Sequence, residues 1–286
     1  MLKYWMYKIG QAVVNILPLC VSYRLAECLC DLHYRFSTVD RLAVESNLKK
    51  ILPSTDNLQV ETREVFRNFG RYLVEFLRMQ KMLAPDFIED KICINNLEHI
   101  DEALQKGKGV IILTAHIGNW EVGAALLSRL GFSLMAVALA HKAQPVNNLF
   151  NYQRESQGMT VIPTNIAIRR CLEQLKENKL VALVGDRDFG VKGQAMDFLG
   201  GKMIIPKGAA MFSYKTGAPI VPCFLIREKD FSFTLTVHEP MYPLANNTLP
   251  EEEAVTKIMR SFLPIIENEI KRHPNQWLMF REFQNA

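Results

Sequence analysis

The chain has 286 residues, a formal net charge of +4 and an apolar content of 49%. A chain of this length and composition can bury a large core, which argues against intrinsic disorder. Its mild positive charge includes no long run of Lys or Arg, so composition does not indicate a nucleic-acid-binding protein. The six cysteines form no CxxC pair, which favours reduced thiols over a disulfide framework or a zinc site.

The first part of the chain, residues 1–83, is predicted to contain helices only. Residues 9–23 carry no charge, but these fifteen residues are fewer than the ~20 that a membrane-spanning helix needs. Trp5, with its neighbouring tyrosines and lysines, instead favours a helix that lies at a membrane surface. Residues 1–50 hold seven Lys and Arg against four Asp and Glu, which favours an anionic surface. A buried core helix is the alternative for this segment.

Two further helices are predicted before the pattern changes. One runs from Asp40 to Ile51 and is followed by Pro53, and the other runs from Glu61 to Leu83 and is followed by Pro85. The second has an apolar face at helical spacing, so we expect it to pack against a core.

From residue 84 onward, short apolar strands alternate with amphipathic helices. The predicted strands are 110–115, 134–139, 159–163, 180–185, 219–226 and 231–238, and the predicted helices are 98–106, 120–130, 145–157, 166–177, 206–216 and 251–272. This alternation predicts an α/β fold with a mixed, largely parallel sheet flanked by helices. The last two strands are close enough for an antiparallel hairpin at the sheet edge. We expect a helical, membrane-associating region at 1–83 packed as one unit with an α/β domain at 84–286.

The segment from Val110 to Glu121 contains the first candidate for chemistry. It places His116 after an apolar strand and Glu121 five residues later, just inside the start of a helix that Asn119 can cap. Positions i and i+5 of one helix point in different directions, so the two side chains can meet only if the chain bends, which Gly118 permits. A His–carboxylate pair can take a proton from a hydroxyl. A lone histidine beside an ordinary capping glutamate is the alternative.

A second candidate follows the strand predicted at 180–185. Asp186, Arg187 and Asp188 come directly after this strand. Ligands of open α/β sheets bind beyond the carboxyl ends of the strands, so His116 and Asp186 can face one cleft. An ordinary solvated loop is the alternative. Two aspartates alone do not supply enough oxygen ligands for Mg²⁺, so no metal site is predicted.

Several cations complete the candidate site. Lys192, Lys202 and Lys207 follow the aspartate-rich loop and can receive a phosphate or a carboxylate. Arg154 lies at the end of a polar helix, where an arginine taken alone is more often a surface residue. The chain has neither a GxxxxGK[ST] phosphate loop nor a GxSxG nucleophile motif.

Five segments, taken together, resemble one family. The segment His116-Ile-Gly-Asn-Trp-Glu121 resembles the His-x4-Asp/Glu box of glycerolipid-type acyltransferases. The segments 185–190, 206–210, 216–222 and 275–280 are similar, in order, to later blocks of the lipid A biosynthesis acyltransferases, the lauroyl and myristoyl transferases of lipopolysaccharide assembly. The resemblance extends from about residue 5 to residue 283.

This resemblance implies an O-acyltransferase that moves a fatty acyl chain from acyl-acyl carrier protein to a hydroxyl of a lipid A precursor or related glycolipid. It implies a position at the cytoplasmic face of the inner membrane and no cofactor. His116 is expected to be the general base and Glu121 its orienting partner, while Arg154 and Asp186 shape the site or stabilise developing charge. The residues expected to bind substrate are Asn119, Trp120, Arg187, Asp188, Lys192 and Lys207.

The chain departs from the family pattern at two places. Arg187 stands where the family has Gln, which adds a cation near the carboxylates, and residues 9–23 are less apolar than the usual N-terminal anchor. Two alternatives remain open on sequence grounds. One is an acyltransferase that acts on mannosylated or other glycolipids, and the other is a lipid-binding relative without catalytic activity.

Overall fold

The computed structural model describes residues 1–187, 193–243 and 249–282. As predicted, residues 1–83 form helices only. These helices are α1 (Leu2–Ile16), α2 (Leu19–Phe36), α3 (Thr38–Ile51), α4 (Leu58–Leu77) and α5 (Met79–Met82). The helix predicted to continue to Leu83 ends at Leu77, because the backbone of Arg78 leaves the helix while its guanidinium bonds the carbonyl oxygens of Val14 and, at 2.6 Å, Leu17. Arg78 thus satisfies carbonyls at the end of α1.

Helix α1 lies on the surface of the protein. Val14 is its one buried residue, whereas Trp5, Met6 and Ile9 are each more than half exposed. The alternative of a buried core helix is therefore wrong. Among the residues that the structure describes, no helix combines the length and the apolarity needed to cross a bilayer.

The remainder of the chain forms the predicted mixed sheet and its flanking helices. The strands are β1 (Ile92–Asn95), β2 (Val110–Thr114), β3 (Leu134–Ala138), β4 (Thr160–Pro163), β5 (Leu180–Val184), β6 (Gln194–Phe198), β7 (Gly201–Ile205), β8 (Ile220–Arg227) and β9 (Phe233–Val237). Seven of them form a sheet in the order β1-β9-β8-β2-β5-β3-β4. Strands β8, β2, β5, β3 and β4 run parallel, while β9 is antiparallel to β8. The predicted α/β fold with a mixed, largely parallel sheet is thereby confirmed.

Helices cover both faces of this sheet. They are α6 (Pro85–Lys91), α7 (Glu98–Leu104), α8 (Trp120–Arg129), α9 (Gln144–Glu155), α10 (Ala167–Lys176), α11 (Gly208–Thr216) and α12 (Glu251–Arg272). Alternate residues of β2 belong to different apolar clusters. Ile111 belongs to the same cluster as Phe262 of α12, and Ile112 belongs to the same cluster as Leu126 of α8. Two cores, one on each face, therefore hold β2 in the centre of the sheet.

Three strands were not predicted from the sequence. The four-residue β1 pairs with β9, so the β8–β9 hairpin lies one strand inside the sheet rather than at its edge. Strands β6 and β7 form a separate antiparallel hairpin. Their turn contains Leu199 and Gly200, both with positive φ, which matches the twist of a tight hairpin.

The loop between β2 and α8 is held against two other parts of the chain. Gly118 has a φ of +58°, and its amide donates to the carbonyl of Gln276 at 3.1 Å. The next amide, that of Asn119, donates to the carbonyl of Leu225 at 2.9 Å. A Cβ at Gly118 would collide with that same carbonyl oxygen of Leu225. The bend predicted at this glycine is therefore required by both its backbone angle and its close packing.

We expect Gly118→Ala to lower the free energy of unfolding by about 3 kcal/mol or more, because strain and a backbone clash combine. The matched control is Gly208→Ala, since a Cβ at Gly208 meets no atom within 4 Å and its φ is not positive. Urea unfolding monitored by circular dichroism measures both. Equal stability of the two variants would contradict the assigned role of Gly118.

Candidate active site

His116 and Asp186 lie side by side at the carboxyl ends of two adjacent strands. Strands β2 and β5 pair with Thr114 opposite Val184, and each candidate residue follows its strand by two positions. The Nδ1 atom of His116 lies 2.8 Å from Oδ1 of Asp186. The indole Nε1–H of Trp277 donates to the other carboxylate oxygen at 2.9 Å. The two side chains are therefore in direct contact, as their positions after adjacent strands predicted.

Asp186 is fully buried and still ionised. Burial acts to raise its pKa, but the charge and hydrogen bond of His116, with smaller effects of Arg187 and Trp277, lower it to about 2. The ordinary pKa of an aspartate is 3.8. The stabilisation that this contact gives the fold is therefore fully present above that pH and is lost as the pH falls through about 2. An ionised Asp186 accepts the Nδ1–H of His116, which places the lone pair of the imidazole on Nε2.

Glu121 does not orient His116, which corrects the role expected from sequence. Both of its oxygens accept from Arg154, at 2.8 Å from Nε and 2.6 Å from Nη2. The physical reason is the direction in which the Glu121 side chain points. The bend at Gly118 starts a new helix, and Glu121 on its first turn faces α9 rather than the end of β2. Asp186 takes the place at His116 that the sequence had given to Glu121.

Arg154 is buried, unlike an ordinary arginine at a helix end. Its guanidinium carbon lies 5.8 Å from the ring centroid of Phe76 and 6.0 Å from that of Phe150. Burial alone would lower its pKa, yet Glu121 raises the pKa above the ordinary value. A paired cation beside two stacked aromatic rings is thus fixed next to the His116 loop.

Asn119 and Trp120 hold the loop in place. The Asn119 side-chain oxygen accepts from the amide of Val122 at 3.1 Å, which confirms the predicted N-cap. The indole of Trp120 meets the His116 ring edge-on at 4.8 Å and stacks on Tyr72 at 4.6 Å. His116 therefore has a carboxylate on one side and an aromatic wall on another.

The predicted cations do not all lie beside His116 and Asp186. Arg187 follows Asp186 directly, and burial lowers its pKa while Asp186 acts to raise it. Lys207 instead lines a cavity of about 860 Å³ beside Ile168 and Met211, and Lys202 is exposed on β7. The described residues that line this cavity do not include the residues expected to take part in catalysis, which are His116, Glu121, Arg154 and Asp186. Asp188 and Lys192 lie outside the described residues.

Three residues of this region were not identified as candidates from the sequence. Trp277 appeared only within the segment 275–280, as part of the family resemblance. Tyr72 and Glu75 appeared only as positions of a helix in the N-terminal region. Glu75 is fully buried and accepts from the Asn119 side chain at 2.6 Å. An acidic residue between the apolar residues Val74 and Phe76 was the available signal, since a charge that becomes buried needs a partner.

The arrangement can perform proton transfer. A neutral imidazole with Nδ1–H held by a carboxylate acts as a base through Nε2, and the buried carboxylate stabilises the imidazolium that results. The side chain of His116 is 10% exposed, so only a small part of the ring reaches the surface of the protein. The chemistry suits removal of a proton from one well-placed group rather than reaction with bulk solvent.

Comparison with known proteins identifies acyltransferases as relatives of this chain. The chain is 28% identical over 223 residues to a phosphatidylinositol mannoside acyltransferase of Mycobacterium tuberculosis (strain CDC 1551 / Oshkosh), which covers 75% of this chain and 67% of the relative. It is 24% identical over 241 residues to a phosphatidylinositol mannoside acyltransferase of Mycolicibacterium smegmatis, which covers 82% of this chain and 76% of the relative. Residues 1–283 match the family described as bacterial lipid A biosynthesis acyltransferase. With nearly its whole length matched, the chain belongs to this family of acyltransferases.

Proposed function

We propose that the protein transfers a fatty acyl chain from a thioester donor to a hydroxyl of a glycolipid, with His116 as the general base. The observation that carries the proposal is the 2.8 Å contact between His116 and the ionised Asp186. A lipid-binding protein without catalytic activity has no need for a buried carboxylate that orients an imidazole. This pairing therefore supports catalysis over the non-catalytic alternative.

The proposed reaction is a direct transfer without a covalent enzyme intermediate. The acceptor hydroxyl loses its proton to Nε2 of His116 as its oxygen attacks the thioester carbonyl. The tetrahedral intermediate then expels the thiolate, which takes the proton back from the imidazolium. One ester bond forms, one thioester bond breaks, and the imidazole returns to its starting state. Asp186 remains ionised throughout and stabilises the imidazolium.

The oxyanion of the intermediate needs hydrogen-bond donors. Arg154 is poorly placed for this task because Glu121 already accepts from two of its nitrogens. The amides of α8 are better candidates. The amide of Val122 is bonded by the Asn119 side chain and that of Gly123 by the Asn119 carbonyl. Within the described part of the chain, the amides of Trp120 and Glu121 remain as first-turn donors. We assign the oxyanion site to this helix start.

The donor that we propose is acyl-acyl carrier protein, and the acceptor is a lipid A precursor or a related glycolipid. The family description supports lipid A. The two mycobacterial relatives are named for a mannoside acceptor, which favours a mannosylated glycolipid as the second candidate. Both candidates offer a sugar hydroxyl to the same base.

The proposed location is the cytoplasmic face of the inner membrane, with attachment through the N-terminal helices. Large apolar side chains are exposed along these helices. They include Leu2, Trp5, Met6, Ile9, Ile16, Val21, Leu25, Leu29, Leu32, Phe36, Val39 and Leu42. Exposed apolar side chains on successive helices, with an excess of cations, suit a helix surface lying in an anionic lipid interface.

Replacing His116 by Ala is expected to lower kcat by about 10²- to 10⁴-fold, because the acceptor proton loses its base. The matched control is His99→Ala, since His99 bonds the carbonyl of Val237, away from His116 and Asp186. Release of carrier thiol from an acyl thioester measures both. Turnover by the His116 variant within twofold of the control would refute the base assignment.

A panel of donors and acceptors tests the proposed substrates. We expect transfer from acyl-acyl carrier protein to a lipid A precursor, detected by mass spectrometry of the acylated lipid. Transfer to a phosphatidylinositol mannoside alone would select the second candidate function. Thioester binding without an acylated product on any acceptor would favour the non-catalytic alternative.

Membrane attachment is tested by one substitution on α1. We expect Ile9→Ser to weaken binding to anionic phospholipid vesicles about tenfold, because one inserted side chain is lost. The matched control is Ile168→Ser on α10, since Ile9 is 62% exposed and Ile168 is 65% exposed. Equal loss of vesicle binding in both variants, measured by sedimentation, would contradict attachment through α1.

A further inference from the structure

Glu75 is a charged residue of the N-terminal region that is completely buried beneath the His116 loop. It lies on α4 and has 0% exposure. Its Oε1 accepts from the hydroxyl of Tyr23 at 2.8 Å and from Nε of Arg227 at 2.5 Å. Its Oε2 accepts from the side-chain amide of Asn119 at 2.6 Å. The carboxylate therefore serves three donors from three separate elements.

These three donors come from both parts of the fold. Tyr23 lies on α2, Arg227 ends strand β8, and Asn119 caps α8. Arg227 is held independently of the carboxylate, because its Nη1 donates to Asn68 and its backbone amide and carbonyl bond the side chain of Gln276. Arg227 therefore keeps its place when one bond to the carboxylate is lost.

The side chain of Asn119 has fewer fixed points. Its oxygen accepts from the amide of Val122 and caps α8. Its nitrogen donates to Glu75 at 2.6 Å and, in a longer bond of 3.4 Å, to the carbonyl of Tyr72. A carboxylate can only accept, so Glu75 fixes which end of the amide faces the helix.

The direction of Asn119 in turn sets the first turn of α8. The next two residues along the chain are Trp120, which touches the His116 ring, and Glu121, which holds Arg154. A rotation of the cap would displace both of these side chains together. The buried carboxylate on α4 is therefore connected to the site through one hydrogen bond and one helix start.

We propose that Glu75 is a positioning residue for acyl transfer, which acts by fixing the Asn119 cap and hence the first turn of α8. The inference rests on the proposed function, because it concerns the geometry of that same site. Glu75 touches neither His116 nor Asp186 and takes no part in proton transfer. Its effect reaches the reaction through Trp120, Glu121 and the helix amides assigned to the oxyanion. Misplacement of such groups by about 1 Å lowers turnover by up to about 10²-fold.

The charge of Glu75 matters because all three partners are donors. In Glu75→Gln, one oxygen becomes an NH₂ group that must face either Asn119 or the donors Tyr23 and Arg227. Two donors then face each other in a buried site, and one of them loses its partner. Because Arg227 has other bonds, Asn119 is the group that moves. The cap then rotates or dissociates, although Gln has nearly the same size as Glu.

The test is a reciprocal exchange of the two groups. Glu75→Gln and Asn119→Asp each place two like groups opposite one another, and each is expected to lower kcat about tenfold or more with KM changed less than about threefold. In the double variant, the new amide at position 75 donates to the new carboxylate at position 119, which still accepts from Val122. We expect kcat of the double variant to be at least about threefold higher than that of either single variant.

The control separates positioning from general stability. Glu64→Gln makes the same change on the same helix, where Glu64 pairs with Arg71 away from Asn119. We expect it to leave kcat within about twofold of the wild type at a temperature at which all variants are folded. Absence of recovery in the double variant, or an equal kcat loss in the control, would overturn the role of Glu75.

Hydrogen exchange keeps this test distinct from the test of function. The backbone amides of Val122 and Gly123 are bonded to Asn119, so Glu75→Gln is expected to speed their exchange and the double variant to restore it. If the wild type transferred no acyl group while these exchange rates followed the expected order, the proposed function would fail and the positioning contact would stand. Unchanged exchange in Glu75→Gln would refute the positioning contact itself.

Discussion

The in-register pairing of β2 with β5 is the constraint on which the site depends. Thr114 and Val184 are opposite one another, so the residues that follow each strand remain at the same level of the sheet. One register shift would move Asp186 away from His116 and turn alternate side chains to the other face. The C-terminal segment then secures the pair, because the amide of Leu278 donates to the His116 carbonyl and Trp277 donates to Asp186.

Three of the buried carboxylates that the structure describes lie near the paired strands β2 and β5, and each accepts hydrogen bonds from a cation or from other strong donors. Asp186 accepts from His116, Glu121 from Arg154, and Glu75 from Arg227. Burial of an unpaired charge costs several kcal/mol, so these residues are retained only with their partners in place. In this protein the pairs also connect distant parts of the chain. The N-terminal helices, the central strands and the C-terminal segment therefore close on one site together.

Much of the fold followed from sequence because each element had a local signal. All six helices and six strands predicted beyond residue 84 occur with bounds within two residues of those expected. Asn119 and Gly118 marked the cap and the bend through known backbone chemistry. The missed strand β1 has four residues and only one buried side chain. Its strand conformation therefore depends on pairing with β9 rather than on a local sequence pattern. Arg78 ended α4 through a contact with α1 that no local pattern reveals.

The sequence identified the residues of the site better than it identified the contacts between them. His116 and Asp186 were placed in one cleft by the strand-end rule, but the orienting carboxylate was assigned to Glu121 because it is near in sequence. Chain separation hid the true partner, since Asp186 is 70 positions away and meets His116 only through the sheet. The same holds for Trp277 and Glu75. Their contacts depend on packing between elements, which a single sequence does not specify.

The tautomer of His116 is the property that tests this account most directly. In protein labelled with ¹⁵N at its imidazoles, NMR at neutral pH distinguishes a proton on Nδ1 from a proton on Nε2. The account predicts a proton on Nδ1, bonded to Asp186, and a shift of the tautomer when Asp186 is replaced by Asn. A neutral ring protonated on Nε2, or a spectrum unchanged by that substitution, would contradict the orientation of His116 by Asp186.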